Sequence, residues 1–236
     1  MELILENIVK TFDENVVLSD INFTFKQGEI YALLGRNGAG KTTLFNILAG
    51  EIEGDLGKAF ISIEGKKRKL SIEDLSYMYS DPVLPEFLTG YEFIKFFMDI
   101  NKERLNEEDT IDDYFNIIKI NEKDKHKLIK SYSQGMKNKL QMLMFVITKP
   151  PVILLDEPLT SLDVVVALEI KKLLRDMRKD HIIIFSTHIL QLARDLCDEI
   201  VILNEGVLSL LEKESLQNPN FEDEIIELLR EKDADA

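Results

Sequence analysis

Gly35-Arg36-Asn37-Gly38-Ala39-Gly40-Lys41-Thr42 stands between an apolar run and a helix-like one, and it fits G-x-x-x-x-G-K-[ST]. Residues of these types at this spacing hold phosphate. The glycines let the backbone wrap closely, so that successive N–H groups point inward. The helix that follows adds the positive end of its dipole. Lys41 supplies a point charge for the β- and γ-phosphates, and the Thr42 hydroxyl can ligate Mg²⁺. A second chemistry-bearing group lies far downstream, where Val152-Ile153-Leu154-Leu155 ends in Asp156-Glu157. A buried strand ending in two acids sets carboxylates at a sheet's C-terminal edge, beside a phosphate loop. There Asp156 would hold Mg²⁺, directly or through water, and Glu157 would polarise an attacking water as general base. The two groups together imply Mg²⁺-dependent hydrolysis of a nucleoside triphosphate.

Positioning those residues requires strands that alternate with helices. Leu3–Val9, Ile21–Lys26 and Glu29–Leu34 read as strands from their β-branched and aromatic content, with a turn at Gln27-Gly28. Lys41–Ala49 reads as a helix; Ala59–Glu64 and Leu75–Tyr79 read as further strands. From Pro82 to about Lys130 the pattern changes. Phe93, Phe96 and Phe97, then Ile111, Tyr114, Phe115 and Ile118, recur at helical spacing and predict an all-helical lobe. Strand-like runs return at Pro151–Leu155, His181–Ser186 and Glu199–Leu203, separated by helical segments near Val164–Arg178 and His188–Leu196. That alternation predicts an α/β fold with a mainly parallel sheet covered on both faces. The division expected is a nucleotide-binding core over 1–81 and 136–236, a helical subdomain over about 82–135, and an acidic tail over 221–236. In the tail Phe221, Ile225, Leu228 and Leu229 share one helical face.

Composition sets limits on partners. Forty-three acids against 29 bases give a net charge of −14, which argues against nucleic-acid binding through phosphate neutralisation. The one basic run, Lys66-Lys67-Arg68-Lys69, reads as a solvated turn, because four adjacent charges cannot all face a core. No apolar run is long enough to span a bilayer, and the N-terminus lacks a signal-peptide pattern. Single Cys197 reads as a small buried apolar residue, and His126 and His181 as structural.

Ser133-Gln134-Gly135-Met136 precedes a helix-like run, Lys137–Ile147. Ser133 is a good N-cap, and Gly135 keeps the helix entrance open. A second helix N-terminus ahead of the carboxylate strand is a second potential phosphate site. Two chains arranged head to tail could share such cradles. Read alone, the four residues are equally a plain capped helix.

Over nearly its whole length the chain resembles the ATP-binding cassette (ABC) family, the nucleotide-binding subunits of ABC transporters, of exporter type. GRNGAGKTT at 35–43 looks like the Walker A loop, YSQGM at 132–136 like the signature motif, and VILLDEP at 152–158 like Walker B with its glutamate. Ser161-Leu162-Asp163 resembles the D-loop, and Ser186-Thr187-His188 the switch histidine. Phe12, within Lys10-Thr11-Phe12, matches the aromatic that stacks on adenine. The resemblance implies a P-loop NTPase with a mainly parallel sheet core, an N-terminal antiparallel β subdomain and an inserted all-helical lobe. It implies ATP and Mg²⁺ as ligands, with catalytic roles for Glu157 and His188. It implies nucleotide contacts from Phe12, Gly35, Arg36, Asn37, Gly38, Ala39, Gly40, Lys41, Thr42 and Thr43, and from Ser133, Gly135 and Asp163. The partners implied are a second nucleotide-binding subunit, identical or not, and a separate transmembrane permease; the location implied is peripheral on the inner face of the cell membrane.

One position departs from the family pattern. Where a glutamine usually ends the strand leading into the helical lobe, Ser80 stands, followed by Asp81. Serine is too short to reach as glutamine does, though it can ligate Mg²⁺ through water. The departure bears on coupling to the membrane partner rather than on nucleotide binding. It keeps open a weakly hydrolysing regulatory nucleotide binder. A soluble ABC-type ATPase acting on ribosomes or DNA is the other alternative, and the acidic balance counts against it.

Overall fold

The fold comes from a computed structural model, which describes residues 1–160, 162–211 and 225. The chain opens with β1 (Glu2–Phe12) and β2 (Asn15–Lys26), an antiparallel hairpin, and then crosses into a second sheet as β3 (Ile30–Leu34). The phosphate-type loop follows β3 and leads into α1 (Lys41–Ala49). Strands β4 (Leu56–Ile63) and β5 (Lys66–Lys69) return to the first sheet, whose order is β2-β1-β4-β5 and wholly antiparallel. After β6 (Leu75–Met78) come four helices: α2 (Gly90–Ile100), α3 (Ile111–Ile118), α4 (Glu122–Lys125) and α5 (Gln134–Thr148). The chain then alternates: β7 (Val152–Asp156), α6 (Val164–Met177), β8 (Ile182–Thr187), α7 (Leu190–Leu196) and β9 (Glu199–Asn204). It closes with β10 (Val207–Leu211). The second sheet has the order β10-β9-β3-β8-β7-β6 and is parallel except for β10.

Both faces of the parallel sheet are covered, so β3, β7 and β8 are buried along their whole length and read as unbroken apolar runs. Side-chain alternation sorts each run between two cores. Val152 and Leu154 of β7, with Ile182 and Ile184 of β8, pack toward α1 and the antiparallel sheet. Ile153, Leu155, Ile183 and Phe185 pack toward α5, α6 and α7. By the same alternation Asp156 and Ser186, which pair in register, belong to the α1 face. A third core fills the helical lobe, with Phe93 and Ile94 of α2 and Tyr114, Phe115 and Ile118 of α3 against Leu140, Leu143 and Ile147 of α5. Capping boxes start two of these helices, Thr89 with Glu92 and Thr110 with Asp113.

Several local expectations need correction. Lys66–Lys69 is an edge strand, not a turn. All four residues are exposed, and pairing with β4 absorbs their backbone groups while Arg68 reaches Asp74 and Lys67 covers the Phe60 ring. Strand β10 has no counterpart in the reading of the sequence; its exposed-edge composition hides it. The stretch from Pro82 to Thr89 is irregular, and helix begins only at Gly90. His188 lies before α7 rather than inside it. Ile225 is buried in the second core, while Phe221, Leu228 and Leu229 of the expected tail helix lie outside the described residues, as does Ser161.

His181 and Cys197 are structural. The His181 ring is buried with Nδ1 2.6 Å from the Pro150 carbonyl, and burial lowers its pKa. Burial pushes the Cys197 thiol up to about 12, which makes it an inert packing group. His126 is exposed and pairs with Glu122 at 3.3 Å.

Candidate functional site

The loop over 35–40 reverses the chain from the C-terminal end of β3 into α1. At Gly35 any Cβ would lie 2.7 Å from the Leu203 carbonyl oxygen, and at Gly40 it would lie 2.9 Å from Val17 Cγ1 on a backbone with φ of 104°. Close approach therefore dictates glycine at both positions. No side chain caps α1, so its first N–H groups are open to a ligand rather than to the protein. Lys41 is buried, and its Nζ donates to the carbonyls of Gly35 at 2.7 Å and Arg36 at 3.0 Å. Burial lowers its pKa; the Glu157 and Asp156 carboxylates oppose that shift. The ammonium thus sits inside the loop that it serves, held by two of that loop's own carbonyls.

Asp156 is buried at the end of β7 and is held by three hydroxyls. Thr42 Oγ1 donates to its Oδ2 at 2.9 Å, Ser186 Oγ to its Oδ1 at 2.5 Å, and the Tyr77 phenol to Oδ2 at 3.4 Å. Burial, then the charge of Asp156, raises the Tyr77 pKa, so the phenol stays protonated as a donor. Thr42 and Asp156 present hard oxygens on adjacent elements, the donor chemistry that suits Mg²⁺. Among the described residues no three His, Cys, Asp or Glu side chains gather into a cage for a metal ion. A divalent ion at this place would complete its shell with phosphate oxygens and water, as Mg²⁺ does in nucleotide sites.

Glu157 follows in a left-handed conformation, φ 50°, unusual for a residue with a side chain. Its N–H donates to Ser186 Oγ at 3.0 Å, and its carbonyl accepts the Thr160 N–H at 3.2 Å. This backbone turns the carboxylate out of the sheet edge. Thr160 Oγ1 donates to Glu157 Oε2 at 3.0 Å, and His188 Nδ1 lies 2.8 Å from Oε1. A carboxylate oriented by two partners beside a phosphate loop can accept a proton from water directed at phosphate.

Two adjoining clefts frame these groups. One, of about 250 Å³, is lined by Asn37, Gly38, Gly40, Lys41, Thr42 and Thr43 with Ser80, Asp156 and Glu157. The second, of about 510 Å³, joins Asn37, Ser80, Asp81 and Glu157 to Thr160, His188 and Gln134. The structure therefore brings the loop, both acids, Ser80 and His188 to one place. Gly35, Arg36 and Ala39 belong to the loop without lining either cleft, and four further named residues lie away from both. Phe12 ends β1 with its ring 46% exposed and Lys10 Nζ 5.1 Å from the ring centroid. Ser133 is exposed and caps α5 through the Met136 N–H. Gly135 is buried against Val166, where a Cβ would approach to 3.1 Å, so its small size serves the packing of α5 on α6. Asp163 caps α6, its Oδ1 accepting from the N–H groups of Val165 and Val166.

Three residues at the site were given no role in the reading of the sequence: Ser186, quoted only as part of the motif around His188, Tyr77 and Thr160. Strand alternation carried a signal for Ser186, a polar residue at a core-facing position of an apolar strand. Thr160 carried none, since a threonine in a polar turn is unremarkable.

Comparison with known proteins follows this geometry. The family pattern described as ABC transporter matches residues 18–160. The chain is 36% identical over 206 residues to an uncharacterised ABC transporter ATP-binding protein of Methanocaldococcus jannaschii, covering 86% of this chain and 74% of that protein. It is 32% identical over 210 residues to the uncharacterised ABC transporter ATP-binding protein YxlF of Bacillus subtilis, covering 88% of this chain and 69% of that one. A solved ATP-binding subunit of an ABC transporter superposes with a TM-score of 0.80 at 25% identity, over 98% of this chain and 100% of that one.

Proposed function

The chain belongs to the ABC transporter family as an ATP-binding subunit with ATPase activity, and from that premise we propose how its residues divide the work. Gly35, Arg36, Asn37, Gly38, Ala39, Gly40 and Thr43 shape the phosphate cradle, and Lys41 neutralises the β- and γ-phosphates. Thr42 and Asp156 would hold Mg²⁺, with Ser80 reaching it through water, and the ion would supply positive charge against that of the phosphates. Glu157 accepts the proton of the attacking water. His188 holds the Glu157 carboxylate through Nδ1 and turns Nε2 toward the γ-phosphate. Phe12 stacks on adenine, its exposed ring offering a free face.

The observation that carries this reading is the pairing of Glu157 with His188 and Thr160 at the mouth of the phosphate cleft. Glu157→Gln tests it. The variant should bind ATP, turn it over very slowly and accumulate as a dimer in size-exclusion chromatography. Turnover at the wild-type rate would remove Glu157 from its role.

Subunits of this family dimerise and work with transmembrane permeases. For this chain the arrangement we favour is head to tail, each ATP lying between Gly35–Thr43 of one copy and the region of Ser133, Gly135 and Asp163 of a second subunit. The exposure of Ser133 supports it: the helix N-terminus that it caps remains accessible. Gly135 contributes by keeping α5 seated on α6, and Asp163 by fixing the start of α6 beside the cleft. Closure on nucleotide supplies the differential binding that drives the membrane partner, and hydrolysis with product repulsion reopens it. Among the described residues no helix is long and apolar enough to cross a membrane. In the arrangement we favour, a separate chain is the permease and the subunit works at the inner membrane face. The docking face is the exposed side of the helical lobe, Phe87 and Phe96. Export is favoured over import by the form of the motif Tyr132-Ser133-Gln134-Gly135-Met136.

A further inference from the structure

Tyr77 sits on β6, paired in register with Leu154 of β7. Asp156 is two residues beyond Leu154 on the same face of the sheet, so the Tyr77 and Asp156 side chains are diagonal neighbours. That separation is about 7–8 Å at the backbone, within reach of a long aromatic side chain and beyond that of serine or threonine. The ring is fixed on two sides. It meets Phe45 of α1 edge-on at 5.9 Å between centroids and packs at a tilt of 46° against Tyr79, 4.4 Å away, whose phenol donates to Glu51 at 2.7 Å beyond the end of α1. From this seat the Tyr77 phenol reaches Oδ2 of Asp156, the oxygen that also accepts from Thr42. A phenylalanine would fill the same space and leave that lone pair without its second donor.

We propose that Tyr77 is a positioning residue for the metal step: its phenol fixes Oδ2 of Asp156 in the orientation from which the carboxylate holds Mg²⁺. The inference rests on the reading that Thr42 and Asp156 hold the ion. The same ring pair joins this acid to the segment that ends in Ser80, where the chain is short of the usual longer side chain.

The test compares wild type, Tyr77→Phe and Tyr79→Phe by calorimetric titration with ADP, with Mg²⁺ present and with the ion chelated. Thermal midpoints of the nucleotide-free proteins are recorded alongside. Tyr77→Phe should bind metal-free ADP as wild type does, but lose roughly three- to tenfold of the affinity gained on adding Mg²⁺, the net worth of one ordinary hydrogen bond, since the contact to the carboxylate is long at 3.4 Å. Tyr79→Phe removes a phenol from the same ring pair without touching Asp156, and it should keep the full Mg²⁺ effect. An unchanged Mg²⁺ effect in Tyr77→Phe, against a clear one in wild type, would overturn the inference and leave the site reading intact. So would equal losses with and without the ion, which would mark Tyr77 as packing alone. No Mg²⁺ effect in wild type would overturn the site reading, and this inference with it.

Discussion

Ser186 stands directly opposite Asp156 across the β8–β7 ladder, and its hydroxyl donates to the Asp156 carboxylate at 2.5 Å. The same oxygen accepts the Glu157 N–H at 3.0 Å. One fully buried hydroxyl thus braces the acid assigned to the metal and the strained backbone of the acid assigned to water.

Ser186→Ala should therefore affect both steps. The buried carboxylate loses a donor and the Glu157 amide loses its acceptor, which costs about 1–3 kcal/mol of stability. Outer-shell partners of this kind typically carry about 10- to 100-fold in metal affinity or activity. Steady-state ATPase assays and thermal melts check the pair of expectations. Wild-type turnover with a lowered melting point would show that the brace serves folding alone.

Arg68 and Asp74 give a prediction in pH. The guanidinium of exposed β5 donates twice, at 2.5 Å each, to a buried carboxylate that also accepts from Ser71. Hydrogen bonding from Arg68 is the first cause holding the Asp74 pKa below its ordinary 3.8. A depressed folded-state value means that the unfolded chain binds more protons in the window between the two values. The stabilisation is complete above 3.8 and is lost as pH falls through the lower folded value. Arg68→Ala should melt below wild type at neutral pH, and the gap should close as the acid window is crossed. A gap that stays constant into acid would mean that the arginine acts through packing of the hairpin.

How much of this was legible in the residues depended on how local the cause was. The apolar runs Val152–Leu155 and His181–Ser186 announce buried parallel strands because both faces are covered, and the structure places β7 and β8 there. The loop before Lys41 and the acids after Leu155 are contiguous patterns, and the sheet brings them to one cleft. Lys66–Lys69 misled because strand formation there comes from pairing with β4 and not from side-chain burial. Tyr77 escaped notice because its partner is set by the register of two distant segments, which no single stretch reveals. Phe12, Ser133, Gly135 and Asp163 stay outside the cleft of a single chain, and their assigned roles all require a further surface or a bound base.

The helical lobe carries the last prediction. Its apolar side chains divide by burial. Phe93, Ile94 and Met98 enter the lobe's own core, whereas Phe87 is 79% and Phe96 58% exposed. Core membership removes the first three from any docking face and leaves Phe87 and Phe96, with Ile100 at 60% exposure, as an apolar surface without an internal purpose. Aromatic anchors commonly dominate protein interfaces, each worth about 2 kcal/mol or more, or roughly 30-fold in affinity. Phe96→Glu replaces such an anchor with a charge and touches none of the nucleotide-binding groups. The isolated subunit should keep its ATPase rate and melting point. Addition of the reconstituted permease should no longer stimulate it, and co-purification with the permease should fall. Unchanged stimulation would move the docking face off α2, while a lowered basal rate would show that the lobe's surface already communicates with Glu157 in the lone subunit.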